Sequence, residues 1–198
     1  MPYRKISLIA SISLILTVLQ PVVNLPILFQ ISQVLAQTPA DRKAEAERLY
    51  QQGDQQIQTS QYKEALQSFQ QALTIYRKIK DRKGQAFSLN YIAIVKRTLG
   101  DNIESLEFYK QALYIFREIG DRLNEGTVLN NIGKVHEGLG QYPQALEFYQ
   151  RALTIRQEVG DQTGEAFTLT DLGLIKYLSK INFIFFSKFS NDFFNIVH

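Results

Sequence analysis

The 198-residue chain contains no cysteine, and this absence removes several classes of function. Disulfides, thiolate metal sites and cysteine nucleophiles are excluded, because each of them needs a thiol. Histidine is almost as rare, since only His136 and His198 occur. The sequence therefore offers no Cys–His or Ser–His arrangement and no histidine cluster for a metal. We expect no catalysis, no metal and no other cofactor.

The chain also lacks a large excess of charges of one sign. The chain has 22 Lys and Arg residues against 19 Asp and Glu, a formal net charge of +3. Two of these cations, Arg4 and Lys5, lie in the first 36 residues, where there is no acid, so the remainder is close to neutral. Because binding to phosphates needs a strongly basic surface, we expect no nucleic-acid partner.

Residues 1–36 are typical of a secretory signal. Arg4 and Lys5 precede an apolar run over 6–19, and the segment ends at Ala36 before a polar stretch. We predict export to the periplasm or beyond, cleavage after Ala36, and a linker over 37–42. The alternative is an uncleaved anchor over 6–29. The apolar run is shorter than the roughly 20 residues of a spanning helix, and extending it crosses two prolines.

Three successive 40-residue segments, starting at Gln61, Asp101 and Gln141, align with one another. Self-similarity at a fixed period is the signature of a repeat array. Within each segment apolar residues recur at steps of three and four, which indicates helices. The sequence therefore predicts an all-α array over 43–179, with helix pairs near 43–80, 83–120 and 123–160 and a lone helix over 163–179.

Glycine marks the helix ends. Gly100 and Gly140 interrupt the pattern within a pair, and Gly120 and Gly160 interrupt it between pairs. Glycine adopts the left-handed geometry that ends many helices, and aspartate caps the helix that follows. Aspartate follows three of these four glycines, so we expect these turns to combine both signals.

The spacing of small and aromatic residues resembles the tetratricopeptide repeat. Small residues occupy the first-helix position and two second-helix positions, with an aromatic residue between them: Gly53, Ala93, Gly133, Gly173; Ala65, Ser105, Ala145; Ala72, Ala112, Ala152; Phe69, Tyr109, Tyr149. The resemblance implies a right-handed α-solenoid of antiparallel helix pairs. The standard period is 34 residues. The longer period resembles the variant of kinesin light chains. The chain also resembles the N-terminal part of exported cyanobacterial proteins that carry a caspase-like (CHAT) domain, which is absent here.

In the register of that family, the exposed positions of the concave groove follow the repeated leucine of each first helix. These peptide-binding candidates are Tyr50, Asn90, Tyr91, Ile94, Arg97, Asn130, Asn131 and Lys134. Asparagine is a mediocre helix former, but its amide both donates and accepts hydrogen bonds, which suits an extended peptide. The alternative is that these residues are ordinary polar surface.

After Tyr177 the repeat fails, and residues 180–198 are rich in phenylalanine. Lys180 stands where the period predicts glycine. Phe186, Phe189 and Phe193 keep the register of a second helix, so we expect the segment to cover the lone helix in part, as the product of a truncation. The alternative is a segment that contacts a membrane or a partner.

These features favour a non-catalytic scaffold that binds an extended peptide or a partner protein. The alternative function is a structural element that oligomerises or associates with a membrane through its Phe-rich end, a relic of a longer protein with an effector domain.

Overall fold

The computed structural model describes the backbone of residues 38–197, and side chains as far as Ile181 apart from Ser179. The described residues form seven α-helices and no strand: α1 Pro39–Gln58, α2 Tyr62–Lys78, α3 Arg82–Thr98, α4 Asn102–Glu118, α5 Arg122–Gly138, α6 Tyr142–Val159 and α7 Gln162–Val197. The chain divides into two units, Met1–Arg42 and Lys43–His198. The predicted all-α array is confirmed. The signal or anchor expected over 1–36 lies outside the described residues.

The helix α1 begins inside the segment 37–42 that was expected to be a linker. Pro39 is its first residue, a position that suits proline because the N–H there has no helical partner. The backbone N–H of Asp41 donates to the Thr38 hydroxyl at 3.1 Å, and the Asp41 carboxylate accepts from the Thr38 N–H at 2.9 Å. This reciprocal capping starts the helix early, so the linker prediction is wrong from Pro39 onward.

The turns follow the predicted glycines. Gly100, Gly120, Gly140 and Gly160 all have positive φ, between 71° and 91°. The side chains of Asp81, Asp121 and Asp161 each accept a hydrogen bond from a backbone N–H three residues later, at 2.9 to 3.2 Å. Asp101 makes no such bond and pairs with Lys96 at 3.0 Å instead. The cap expected at Asp101 is therefore wrong.

Small residues let the two helices of a pair approach closely. A Cβ atom on Gly53 would lie 2.8 Å from the Phe69 ring, and one on Gly133 would lie 2.6 Å from the Tyr149 ring. Both rings are fully buried. The predicted crossing of small and aromatic residues is therefore confirmed at Gly53 and Gly133, where it interlocks the helices as ridges fit into grooves. Gly173, predicted to lie at the same kind of crossing, has no atom within 4 Å of the Cβ position.

The array curves toward its first helices. The helices α3, α5 and α7 contact one another in succession, and no comparable contact joins α2, α4 and α6 within the described residues. Because a stack is shorter on the side where its helices lie closer, the first helices line the concave side. The groove named below is this concave surface of α1, α3, α5 and α7.

The last helix does not turn back where the period predicts. The backbone of α7 stays helical from Gln162 to Val197, through Lys180. The expected end of the lone helix at 179 is wrong, as is the expectation that the following segment folds back over it. Leu169 shows the consequence, because it is 50% exposed, whereas the equivalent Leu89 and Leu129 are 2% and 0% exposed.

Candidate functional site

The floor of the groove is a series of side-chain pairs that join successive first helices. Each pair connects one residue with a second residue 41 positions later. Tyr50 meets Tyr91 with ring centroids 5.2 Å apart. The Asn131 amide donates to Asn90 Oδ1 at 3.4 Å. The Asn130 amide donates to Asp171 Oδ2 at 2.9 Å. We call this series the 41-residue ladder. It is aromatic between α1 and α3, and polar from α3 to α7.

The aromatic end of the ladder is a packed cluster. Phe69 of α2 contacts Tyr50 and Tyr91, with centroid distances of 5.5 and 5.1 Å. Tyr50 and Tyr91 are half-buried. Burial is the main cause that raises the pKa of Tyr50, so its hydroxyl stays neutral. This end of the groove therefore offers ring faces, together with the half-buried Ile94, to an apolar ligand group.

Two of the predicted groove asparagines are buried. Asn90 is 6% exposed and Asn130 is 4% exposed. The Asn130 oxygen accepts a hydrogen bond from the Thr168 hydroxyl at 2.9 Å while its amide donates to Asp171, so α7 satisfies both ends of the side chain. The expectation that Asn90 and Asn130 are exposed is wrong, because the neighbouring first helix lies over the position directly after the repeated leucine.

Asn131 and Lys134 are half-buried on the surface of the groove. The only hydrogen bond of the Asn131 side chain within the described residues is the 3.4 Å contact with Asn90, near the outer limit for such a bond. The Lys134 ammonium lies 3.4 Å from Asp171 and its side chain is 40% exposed. Both side chains can therefore exchange their present contacts for those of a ligand.

A recess of about 410 Å³ opens at the polar end of the groove. Its lining combines two cations with two carboxylates and a phenol, and the residues are Arg97, Lys134, Glu137, Gly138, Tyr142, Asp171 and Leu178. The Tyr149 hydroxyl donates to Glu137 at its edge. Because both signs of charge are present, the recess suits polar groups that donate and accept.

Arg97 lies at the junction of this recess and the core. Its Nε is buried without a hydrogen-bond partner in the described structure, as is the hydroxyl of the fully buried Tyr109. Burial raises the pKa of Tyr109 to about 12, and the neighbouring guanidinium of Arg97 opposes the shift. Arg97 also lines the recess, so it contributes a cation there.

The predicted site residues therefore divide into three groups. Tyr50, Tyr91 and Ile94 form the apolar end, Arg97, Asn131 and Lys134 form the polar end, and Asn90 and Asn130 form the floor. The candidate set omitted Tyr142, Thr168 and Asp171. The repeat register could have identified Asp171 as a site residue, because it stands one period after Asn131.

The described side chains also bear on the question of a metal site and on the packed histidine that the sequence predicts. Among the side chains that the structure describes, no group of three or more His, Asp or Glu could hold a metal ion. His136 is half-buried, stacks on Phe148 at 5.2 Å and has its Nδ1 2.6 Å from Gln141 Oε1, as expected for a packed histidine. None of the helices formed by these residues is long and apolar enough to cross a membrane.

A family model of the tetratricopeptide repeat matches residues 45–118, 84–158 and 125–180. The chain belongs to the tetratricopeptide repeat family. Its helical solenoid fold agrees with the solved tetratricopeptide structures that it resembles. No curated protein matches the sequence.

Three solved structures illustrate the likeness of this tetratricopeptide array. BtubC (BKLC) from P. vanneervenii has a TM-score of 0.65 and 18% identity, over 73% of this chain and 59% of BtubC. The TPR2AB domain of yeast Sti1, in complex with pHSP90, has a TM-score of 0.59 and 21% identity, over 70% of this chain and 49% of that one. A putative kinesin light chain from Podospora anserina, with nearly identical TPR-like repeats, has a TM-score of 0.58 and 14% identity, over 67% and 66%. At these identities the likeness shows the fold, and this chain spans less than two thirds of BtubC and of the Sti1 chain.

Proposed function

We propose that this tetratricopeptide array is a non-catalytic scaffold that binds an extended segment of a partner protein in its groove. The observation that carries the proposal is the 41-residue ladder, which brings side chains from successive first helices into one continuous surface. An extended chain is itself periodic, so a surface with repeating contacts suits it. The Sti1 relative, which was solved as a complex with pHSP90, supports this kind of function.

The chemistry of the groove favours a peptide segment that is apolar at one end and polar at the other. Tyr50, Tyr91 and Ile94 offer half-buried apolar surface between α1 and α3. Asn131 and Lys134 offer an amide and a cation between α5 and α7. We therefore expect an apolar or aromatic residue at the first end, and polar or acidic residues at the second. Capture of a chain-terminal carboxylate is disfavoured, because Asp54 and Ile94 occupy positions where such clamps have cations or amides.

The buried asparagines have a supporting role in this proposal. Asn90 and Asn130 hold adjacent first helices together, so they fix the spacing of the groove. Asn131 is the amide that contacts the peptide, because it is half-buried and its present bond is long.

The test is a selection of random peptides displayed on phage against the full chain, followed by affinity measurements with the selected peptides. Lys134→Glu reverses the charge of the polar end and is expected to weaken binding by roughly tenfold or more, since a lost charged contact costs at least 1.4 kcal/mol. Lys63→Glu, an exposed position on α2, is the matched control and should leave affinity unchanged. Equal affinity for both variants and for the unchanged chain would show that peptides bind elsewhere.

A further inference from the structure

One face of α7 is exposed although its equivalents in the array are covered. Gly173 has no atom within 4 Å of the position a Cβ would take, whereas the same position at Gly133 is filled by the Tyr149 ring. Leu169 is 50% exposed and Tyr177 is 63% exposed. Each earlier first helix buries this face against the second helix of its own pair. No second helix packs on this face of α7 within the described residues, because the backbone stays helical through Lys180.

The exposed face is an uncharged stripe. Its residues recur at helical steps of three and four, and they are Ala166, Leu169, Gly173 and Tyr177. The exposed Thr170 and Leu174 adjoin this face, at the positions equivalent to Asn130 and Lys134 of the groove. Charged side chains lie at its two ends, and the exposed Lys176 lies along one edge. Glu165 lies at its N-terminal end and Lys180 at its C-terminal end. Glu165 is held by one hydrogen bond, from Gln157 at 2.8 Å. Two copies of an apolar stripe that has an acid at one end and a base at the other are complementary when they pack antiparallel.

We propose that this face of α7 binds the same face of a second copy of the chain, with the two helices antiparallel and Gly173 at the two-fold axis. Leu169 and Tyr177 are each four residues from Gly173, so each leucine meets the tyrosine of the other copy. Glu165 then lies beside Lys180 of the second copy, and the pair occurs twice because the interface is isologous. Glycine at the crossing lets the two helices approach closely.

The charges decide the direction of the pair. In a parallel arrangement each Glu165 would face Glu165 and each Lys180 would face Lys180, which is repulsive at both ends of the stripe. In the antiparallel arrangement both contacts are attractive. The area is modest, because a stable interface buries about 800 Å² per partner and one helical face supplies less. The dimer is therefore reversible and depends on concentration.

The first test is sedimentation velocity of the full chain over a concentration series, compared with Gly173→Lys. The substitution places two ammonium groups at the axis, so dimer formation should be lost. The single copy should still fold, since the position is open and lysine is a better helix former than glycine. Gly138→Lys, at an open position in α5, is the matched control and should associate like the unchanged chain. All three proteins keep residues 1–37 and 182–198, so association through those segments would be common to them.

The second test exchanges the charges. Glu165→Lys and Lys180→Glu should each weaken association by roughly three- to tenfold, because each places two like-charged pairs at the interface. The double variant should associate like the unchanged chain. A chain that is monomeric at every concentration, a Gly173→Lys variant that dimerises as before, or a double variant that does not recover would each overturn the proposal.

Discussion

The side chain of Asn130 bridges to Asp171 and Thr168, with hydrogen bonds of 2.9 Å to each. Both partners belong to α7, and Thr168 is fully buried. One asparagine thus fixes the last helix against the third pair through its oxygen and its amide together.

Asn130→Ala should therefore destabilise the array. The change leaves the Thr168 hydroxyl and the Asp171 carboxylate without this partner, and such a loss costs about 1–3 kcal/mol in the free energy of unfolding. Urea denaturation followed by circular dichroism measures it. Asn131→Ala, which loses only the 3.4 Å contact with Asn90, should cost less than about 1 kcal/mol. If the two variants were equally unstable, the ladder would not explain the burial of Asn130.

Two glycine substitutions should have opposite effects on stability. In Gly133→Ala the new methyl group would lie 2.6 Å from the buried Tyr149 ring, so the variant should lose about 1–3 kcal/mol. In Gly173→Ala the methyl group has open space and removes the conformational freedom of glycine, so the variant should gain about 0.5–1 kcal/mol. Thermal unfolding of both at low protein concentration measures the difference. A loss of stability in Gly173→Ala would mean that this position is covered in the folded chain.

Alkaline pH should weaken the fold in part through Tyr109. Its pKa is raised to about 12 by burial, above the value near 10 of an unfolded chain. A group with a raised pKa in the folded state contributes stability below the unfolded pKa and loses it as pH rises toward the folded value. Between pH 10 and 12 the ionisation of this single group should lower the free energy of unfolding by about 1–2 kcal/mol per pH unit.

Tyr109→Phe tests this pH dependence. At pH 7 the variant should be at least as stable as the unchanged chain, because the hydroxyl has no hydrogen-bond partner among the described residues. At pH 11 the variant should be more stable by about a further 1–2 kcal/mol. The same difference in stability at both pH values would mean that the hydroxyl does not titrate with unfolding.

Export with cleavage of the signal predicts a single, defined N-terminus for the mature protein. Expression of the full chain in a bacterium with a periplasm, followed by N-terminal sequencing, should give a protein that starts at Gln37. Replacing the small residue before the cut, in Ala36→Leu, should leave the precursor uncleaved. A full-length chain that fractionates with membranes would support the alternative of an anchor over 6–29.

The period and the glycine positions were sufficient to predict the seven helices, because both depend on local backbone chemistry. They could not show that Asn90 and Asn130 are buried. That depends on the lateral distance between first helices, which decides whether the first or the second position after the leucine faces the neighbour. The repeat pattern also could not predict that α7 continues through Lys180. Ser60 and Lys80 turn with positive φ without glycine, so the lack of glycine at 180 alone does not decide for a turn or a helix.

The change in chemistry along the 41-residue ladder gives the groove a gradient of mechanical stiffness. Ring contacts such as that between Tyr50 and Tyr91 keep their energy over a broad range of distances and tilts. The 2.9 Å hydrogen bond between Asn130 and Asp171 weakens steeply when its geometry changes. In the proposed function, the first repeats would therefore adjust their pitch around the peptide at little cost, and the last pair with α7 would form the rigid end of the groove.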